Sequence, residues 1–571
     1  LVLTDGNATD LPDGRLEAPG LASVYPVIIG REEPIKDIAL QRVSVNQTAF
    51  EDAPVSVQAD VTHGGYAGQP LVARLLDTAG RVVAEQSQRA PPDGQVLAFR
   101  FQVKPERSGI SFYSLRVSAK ETLGSNDPQE GSTEATLANN QRVLVLDRGQ
   151  GPYRILYVAG RPNWEFKFLN RALAEDEQLQ LVALIRIAKR EPKFEFRGRP
   201  GESSNPLFRG FGNQAQEEIE RYDQPVLVRL NTRDAEELVG GFPKTAEELY
   251  AYHAVVLDDL EAEFFTRDQL LLLQRFVSER GGGFLMLGGA ESFREGKYER
   301  TPVGDMLPVY LDAPASTGPL TNLHLSLTPE GWLQPWARLR SNQAEERARL
   351  AEMPPFAVLN RVRDLKPGAS AIAVVQGDRG DSYPALAVQR FGHGRVGALL
   401  IGDLWRWGLR DAAMHRDMDT AWRQLFRWLV VDVPKRIDLQ VQAKPGDPHQ
   451  AVVLQARVRD KQFGPLDNAA VVLDVRPVTN AFDRAASFTD GKLQTATNAV
   501  RLTAEAALQE AGLYEATYVP RQSGGYLAEA IVTDAEGVEI GRAEAGWTAD
   551  PAAEEFRSLR PNRALLEQIA R

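Results

Sequence analysis

Ala254-Val-Val-Leu-Asp-Asp-Leu260, Phe265-Thr-Arg-Asp-Gln-Leu270 and Gly281-Gly-Gly-Phe-Leu-Met-Leu-Gly-Gly-Ala-Glu-Ser-Phe293 decide the fold of the middle of this chain. Ala254 to Leu257 and Phe284 to Leu287 are short apolar runs bounded by turn residues, the pattern of strands buried on both faces of a parallel sheet. The segment between them predicts a helix. Thr266 followed by Gln269 has the spacing of a capping box, Phe265 and Leu270 stand where a hydrophobic staple requires them, and Gly281 lies just past the end. Leu270, Leu273 and Val277 supply its apolar face. Strand, helix and strand with a short return imply a right-handed crossover, and ligands in such sheets gather at the carboxyl ends of the strands.

Working outward, Ile155-Leu-Tyr-Val-Ala159 predicts a first strand, and the helix after Arg161-Pro-Asn163 carries Trp164, Phe168, Ala172 and Leu173 on one face. Leu179 to Ile185 is a second strand. The stretch from Lys189 to about Gln224 has no clear period and reads as an excursion over the carboxyl edge, where Phe194 and Phe208 suggest a partner contact. Ala371 to Val375, Pro384 to Phe391 and Arg395 to Asp403 complete the sheet, with Gly392-His-Gly394 turning the last hairpin. A helix through Met418, Trp422, Leu425 and Leu429 ends before Pro434.

On either side the pattern changes to alternation, as in Val55-Ser-Val-Gln-Ala-Asp-Val61, Leu97-Ala-Phe-Arg-Phe-Gln-Val103, Ala451 to Val458 and Tyr514 to Val519, with turn residues between the runs. Each flank therefore predicts an antiparallel sandwich. The chain opens inside a strand and closes in a short amphipathic helix after Asn562, and both ends suggest a piece of a longer protein.

The 571 residues have room for three or four cores, a net charge of -11 and no cysteine. The acidic balance argues against a nucleic-acid partner, because a phosphate backbone is held by clustered Lys and Arg. The missing thiols exclude disulfides, thiolate metal sites and thiol catalysis. No apolar run reaches the ~18 residues needed to span a bilayer.

The order Arg154-Ile-Leu-Tyr-Val-Ala-Gly-Arg-Pro-Asn-Trp164, Val255-Val-Leu-Asp-Asp-Leu260, Gly281 to Phe293 and Gly392-His-Gly-Arg-Val-Gly397 resembles the class I glutamine amidotransferase-like superfamily. More closely, it resembles a bacterial, membrane-anchored branch that joins such a domain to a von Willebrand factor A domain and Ig-like modules. The resemblance implies a multidomain α/β plus all-β chain. A flavodoxin-like, amidotransferase-like doubly wound sheet over residues 150–435 would be flanked by Ig-like β-sandwiches over 35–149 and 436–548. Residues 1–34 would be the end of a von Willebrand factor A-like domain and 549–571 a C-terminal tail with its helix.

Members of the superfamily carry a cysteine nucleophile on the sharp turn after a central strand, where this chain has Leu287-Gly-Gly-Ala-Glu291. Glutaminase chemistry needs that thiolate. The resemblance therefore implies the fold and argues against the reaction. It also implies a protein partner, a location on the extracytoplasmic side of the bacterial envelope, and membrane attachment through segments outside this chain. No cofactor is expected beyond a possible divalent cation at Asp5 of Thr4-Asp5-Gly6, where the family holds a metal. The family's Asp-x-Ser-x-Ser loop is absent, so Asp5-Gly6 also reads as a plain turn.

Residues just past strand ends are Arg161 and Asn163, Asp258 and Asp259, Glu291 and Ser292, and Asp403 with Arg406. Arg161, Asn163, Asp403 and Arg406 are candidate ligand-binding groups; Glu291, Ser292, Asp258 and Asp259 are candidate catalytic groups of a divergent hydrolase. In the structural reading, Asp258 and Asp259 cap the next element and Asp403 pairs with an Arg. Ser292 with His393 or His415 lacks the Gly-x-Ser-x-Gly elbow, and no His pair has zinc-ligand spacing. Trp405, Trp407, Trp422 and Trp428 either stack a ligand or close the core under the last helix.

Overall fold

In the computed structural model the described residues are 1–7, 24–29, 36–46, 55–103, 109–120, 134–149, 151–188, 226–312, 322–340, 342–378, 380–444, 447, 450–478, 499–550 and 561–570. The excursion expected from Lys189 to Gln224 lies outside them. The chain divides into a central unit, Gly151–Pro434 with Lys461–Phe463, and an outer unit, Leu1–Gln150, Lys435–Asp460 and Gly464–Arg571.

In the outer unit, β1 (Val2–Thr4) and β2 (Pro26–Ile28) form a short parallel pair. The alternating segments that follow give β3 (Asp37–Asn46), β4 (Val55–Gly64), β5 (Pro70–Leu76), β6 (Val82–Arg89), β7 (Leu97–Val103), β8 (Ile110–Ala119) and β9 (Gln141–Asp147). They make a three-stranded sheet β3-β4-β7 and a four-stranded sheet β6-β5-β8-β9. Val57, Phe99, Leu71 and Leu115 from the two sheets share one core, as a period of two requires of a sandwich.

The central unit runs β10 (Tyr153–Ala159), α1 (Trp164–Ala174), β11 (Leu179–Ala188), β12 (Val226–Leu230), α2 (Ala246–Leu249), β13 (Ala254–Asp258), α3 (Arg267–Ser278), β14 (Gly283–Leu287), α4 (Pro302–Met306), β15 (His324–Leu327), α5 (Pro329–Leu333), α6 (Gln343–Glu352), β16 (Ser370–Gln376), β17 (Ser382–Phe391), β18 (Gly394–Leu399), α7 (Trp405–Gly408) and α8 (Ala412–Val430). Its nine-stranded sheet has the order β12-β11-β10-β13-β14-β18-β17-β16-β15. β11, β10, β13, β14 and β18 are mutually parallel. Every residue of β13 and β14 is buried, which accounts for their unbroken apolar runs.

The helix between β13 and β14 forms as its sequence requires. The Thr266 hydroxyl accepts from the Gln269 amide and the Gln269 side chain returns the bond to the Thr266 amide, while Phe265 and Leu270 are both buried. Gly281 then turns the chain with φ +82°, a conformation that costs a side-chain-bearing residue. Thr266→Ala should lower stability by about 1 kcal/mol, read as a shift in the urea midpoint at unchanged slope.

The remaining strands, β19 (Ile437–Ala443), β20 (Val452–Val458), β21 (Ala470–Val478), β22 (Val500–Ala506), β23 (Leu513–Tyr518), β24 (Gly524–Thr533) and β25 (Glu539–Ala549), belong to the outer unit. The terminal helix α9 (Arg563–Ile569) sets Leu566 against Gly6.

Two corrections to the expected fold follow. Among the described residues strands make up 43% and helices 19%, so the described structure is mostly β, without a flavodoxin-like doubly wound core. The central sheet is mixed, with β12 antiparallel on one edge and β17, β16 and β15 antiparallel on the other. Strands returning through tight connections such as Phe391–Gly394 pair antiparallel, because only a long crossover can bring a strand back parallel. Where a second sandwich was expected, all seven strands are joined in one sheet, β19-β20-β23-β22-β21-β24-β25, whose side chains share a single core. β22 joins its halves by pairing with both β21 and β23.

Candidate functional site

Parallel strands in register bring their carboxyl ends to one edge, and four neighbouring ends are tied there by one side chain. Arg186, on β11 and buried, donates from Nε to the Gly160 carbonyl at 3.0 Å, just beyond β10. Its terminal nitrogens make a bidentate pair with Glu261, beyond β13, at 2.7 Å each, and one lies 3.5 Å from Glu291, beyond β14. Burial alone would raise the Glu261 carboxyl, but the bonds from Arg186 and Glu291 hold it down to about 2.

Asp258, the last residue of β13, is buried and accepts from the Tyr157 hydroxyl and from Asn163 Nδ2 at 2.6 Å. Asn163 also caps α1, its Oδ1 accepting the Phe166 amide. Burial pushes Asp258 up to about 6 against these bonds, and drives Tyr157 well above its ordinary value with the Asp258 charge adding to the rise.

Asp259 turns away in the left-handed region, φ +48°, and its carboxylate pairs with Arg161 and accepts the Glu291 amide at 2.7 Å. Its own amide donates to Ser292 Oγ at 3.2 Å, and Ser292 is buried. The strand ends approach so closely that a Cβ on Gly160 would meet the Asp259 carbonyl oxygen, and one on Gly289 the Asp259 carboxylate.

Across the edge, Asp403 pairs with Arg406 at 3.1 Å and accepts the Ala357 and Val358 amides. Glu165, in the first turn of α1, receives the Asp403 amide. Burial pushes its carboxyl up to about 7, reinforced by the charges of Asp258 and Asp403.

Arg161, Asp259, Glu291 and Ser292 thus form one bonded group and Asp258 with Asn163 and Tyr157 another, adjacent through the Asp258–Asp259 peptide, while the charges of Asp258 and Asp403 both act on Glu165. Neither Asp258 nor Asp259 bonds the element that follows, whereas Asp403 pairs with an Arg, as in the structural reading. Ser292 Oγ engages the Asp259 amide. His415 approaches Gly408 and Asp419 instead, and the His393 amide bonds Ser278 in its turn.

Asp5 Oδ1 accepts the Asn7 amide, making a local turn, and no metal-holding group of three or more acidic or imidazole side chains occurs among the described residues. Trp407 of α7 and Trp422 and Trp428 of α8 are buried, but Trp164, expected on the buried face of α1, is 49% exposed and lies 6.1 Å from Trp405.

Glu165, Tyr157, Arg186 and Glu261 were not singled out by sequence. Glu165 carried a usable signal, an acidic first-turn position immediately after a strand end. Arg186 carried none, because it sits within an apolar strand and the carboxylates it engages are 75 and more residues away.

At the turn after β14, where the amidotransferase-like pattern places its nucleophile, the chain has Gly288, Gly289 and Ala290. Gly289 exchanges two hydrogen bonds with the Asn360 side chain, at 3.0 and 2.9 Å.

Among comparisons with known proteins, residues 227–431 match the family described as "Putative glutamine amidotransferase". No curated protein matches the chain. Among solved structures, a cell-surface protein domain from Methanosarcina acetivorans is similar at 17% identity and TM-score 0.16, over 20% of this chain and 91% of that one. A β-galactosidase from Rahnella sp. R3 is similar at 13% identity and TM-score 0.19, over 48% of this chain and 33% of that one. TM-scores this low carry no argument about function. By this family match, residues 227–431 are similar to a glutamine amidotransferase-like domain.

Proposed function

We propose that the amidotransferase-like domain is a noncatalytic binding module of a membrane-anchored assembly on the extracytoplasmic side of the bacterial envelope. The observation that carries this reading is the saturated carboxyl edge. The turn after β14 has no thiol, and Arg186, Arg161, Arg406, Tyr157 and Asn163 engage the carboxylates that would otherwise do chemistry. The same edge exposes Arg161, Trp164 and Arg406, with Trp405 half-buried beside them, and Arg and Trp are the residue types that most often anchor protein interfaces. The favoured partner is a protein. Membrane attachment through segments outside this chain rests on the resemblance, and no helix among the described residues is long and apolar enough to cross a membrane.

A divergent hydrolase is the second reading. It draws on Glu165 and Asp258, two carboxyls raised toward neutrality within electrostatic reach of each other, a condition frequent at acid–base sites.

Purified protein should release no ammonia from glutamine above the buffer rate and should not hydrolyse a panel of amide and ester substrates. Turnover that falls at least tenfold on Asp258→Asn or Glu165→Gln would establish the hydrolase reading instead. A photo-crosslinking residue at Trp164 or Arg406, in the intact protein in cells, should yield one defined adduct that is absent when the crosslinker stands at exposed Leu508.

A further inference from the structure

The far half of the central unit contains a cavity of about 110 Å³ that shares no residue with the carboxyl-edge network. It lies between the antiparallel side of the sheet, α6 and α8, and its walls are almost wholly apolar, with Leu350, Met353, Met418 and Ala421 among them. A cavity of about 150 Å³ lined by such side chains stays dry and takes up one benzene-sized molecule, so this space suits a single ring or a short branched chain.

Two further features limit its occupant. Trp407 lines the cavity, is 4% exposed, and its indole Nε1 finds no hydrogen-bond acceptor among the described residues. A buried donor without a partner costs about 1–3 kcal/mol, so such groups in native proteins generally serve something. The only charged side chain on the wall, Arg349, is already compensated: it pairs with the fully buried Glu346 at 2.5 Å and lies over the Trp407 ring at 5.3 Å. Among the described residues the wall therefore offers one buried neutral donor without a partner, and its one charge is already paired.

We propose that this cavity is a binding site for a small neutral apolar molecule, about the size of one aromatic ring, whose one acceptor atom takes the Trp407 indole N–H. A charged ligand would have to be desolvated with no counter-charge free to meet it. A ligand with no acceptor would leave the indole as it is.

Anisole and ethylbenzene test this, because they match in shape and differ in the acceptor oxygen. The chain has five methionines, which makes methyl-labelled protein readable by NMR at this size. Anisole should bind the full chain saturably and shift the Met353 and Met418 methyls, leaving Met286 and Met306 in place. It should bind roughly three- to tenfold more tightly than ethylbenzene, the worth of one neutral hydrogen bond. Trp407→Phe should erase that preference, and Ala421→Phe should abolish both interactions by filling the space.

Absence of saturable binding by anisole, or shifts confined to methionines away from the cavity, would overturn the site. Equal binding of the two probes to the unaltered protein would overturn the role of Trp407. If Ala421→Phe does not fold, the methionine shifts in the unaltered protein still decide the location.

Discussion

Arg427→Leu should destabilise the central unit by about 3–5 kcal/mol, the loss expected when one partner of a buried ion pair is removed. Arg427 of α8 grips Asp176 through two bonds of 2.7 and 2.8 Å, and the Asp176 side chain is only 2% exposed. Asp176 follows α1, so the pair joins the two helices across 251 positions of sequence. Without the guanidinium the carboxylate keeps the bond from the Gln178 amide, which carries no full charge to replace it. Asp176→Leu combined with Arg427→Leu should recover most of the loss, since an apolar pair of similar volume often replaces a buried ion pair at little cost. Urea unfolding of the four proteins measures the coupling. A single-variant loss below about 1 kcal/mol would show that water reaches the pair.

Glu165→Gln should stabilise the protein by about 1–3 kcal/mol at pH 8 and flatten its stability profile between about pH 4.5 and 7. The folded value of about 7 lies above the ordinary 4.5, so in this window the folded chain holds a proton that the unfolded chain has released. Stability contributed by that proton is full below the ordinary value and is lost as pH rises through the folded one. Glutamine has nothing to release, so the loss disappears. Asp258, raised to about 6, should leave a smaller slope of the same sign below that pH. A steeper rather than flatter profile in the variant would mean that the Glu165 charge is stabilised where it stands, against the burial that raises it.

The order of the strands that carry the candidate site could be read from local pattern. Asp258, Asp259, Glu291 and Asp403 each follow an apolar run, and parallel pairing in register places such residues at one edge. Which of them meet was not legible. Arg186 looks like an interruption in an apolar strand until β10, β13 and β14 bring Gly160, Glu261 and Glu291 around it. Trp164 has the helical spacing of a core residue, yet the edge it occupies leaves half of it in water.

By itself the sequence determined what depends on neighbours a few positions apart: the Thr266–Gln269 capping box, the buried runs of β13 and β14, the Phe391–Gly394 hairpin and the absence of any thiol. Only the tertiary structure decided that the protein is mostly β, that its central sheet is mixed, and that the last seven strands form one sheet rather than two. Caps, periodicity and turns are set by interactions within one element, whereas sheet membership depends on pairing between segments tens to hundreds of residues apart, for which an alternating strand offers many nearly equivalent edges. The same reason governs the site. Carboxylates at strand ends are visible in the chain, but their charge state depends on burial and on arginines that only the fold brings to them.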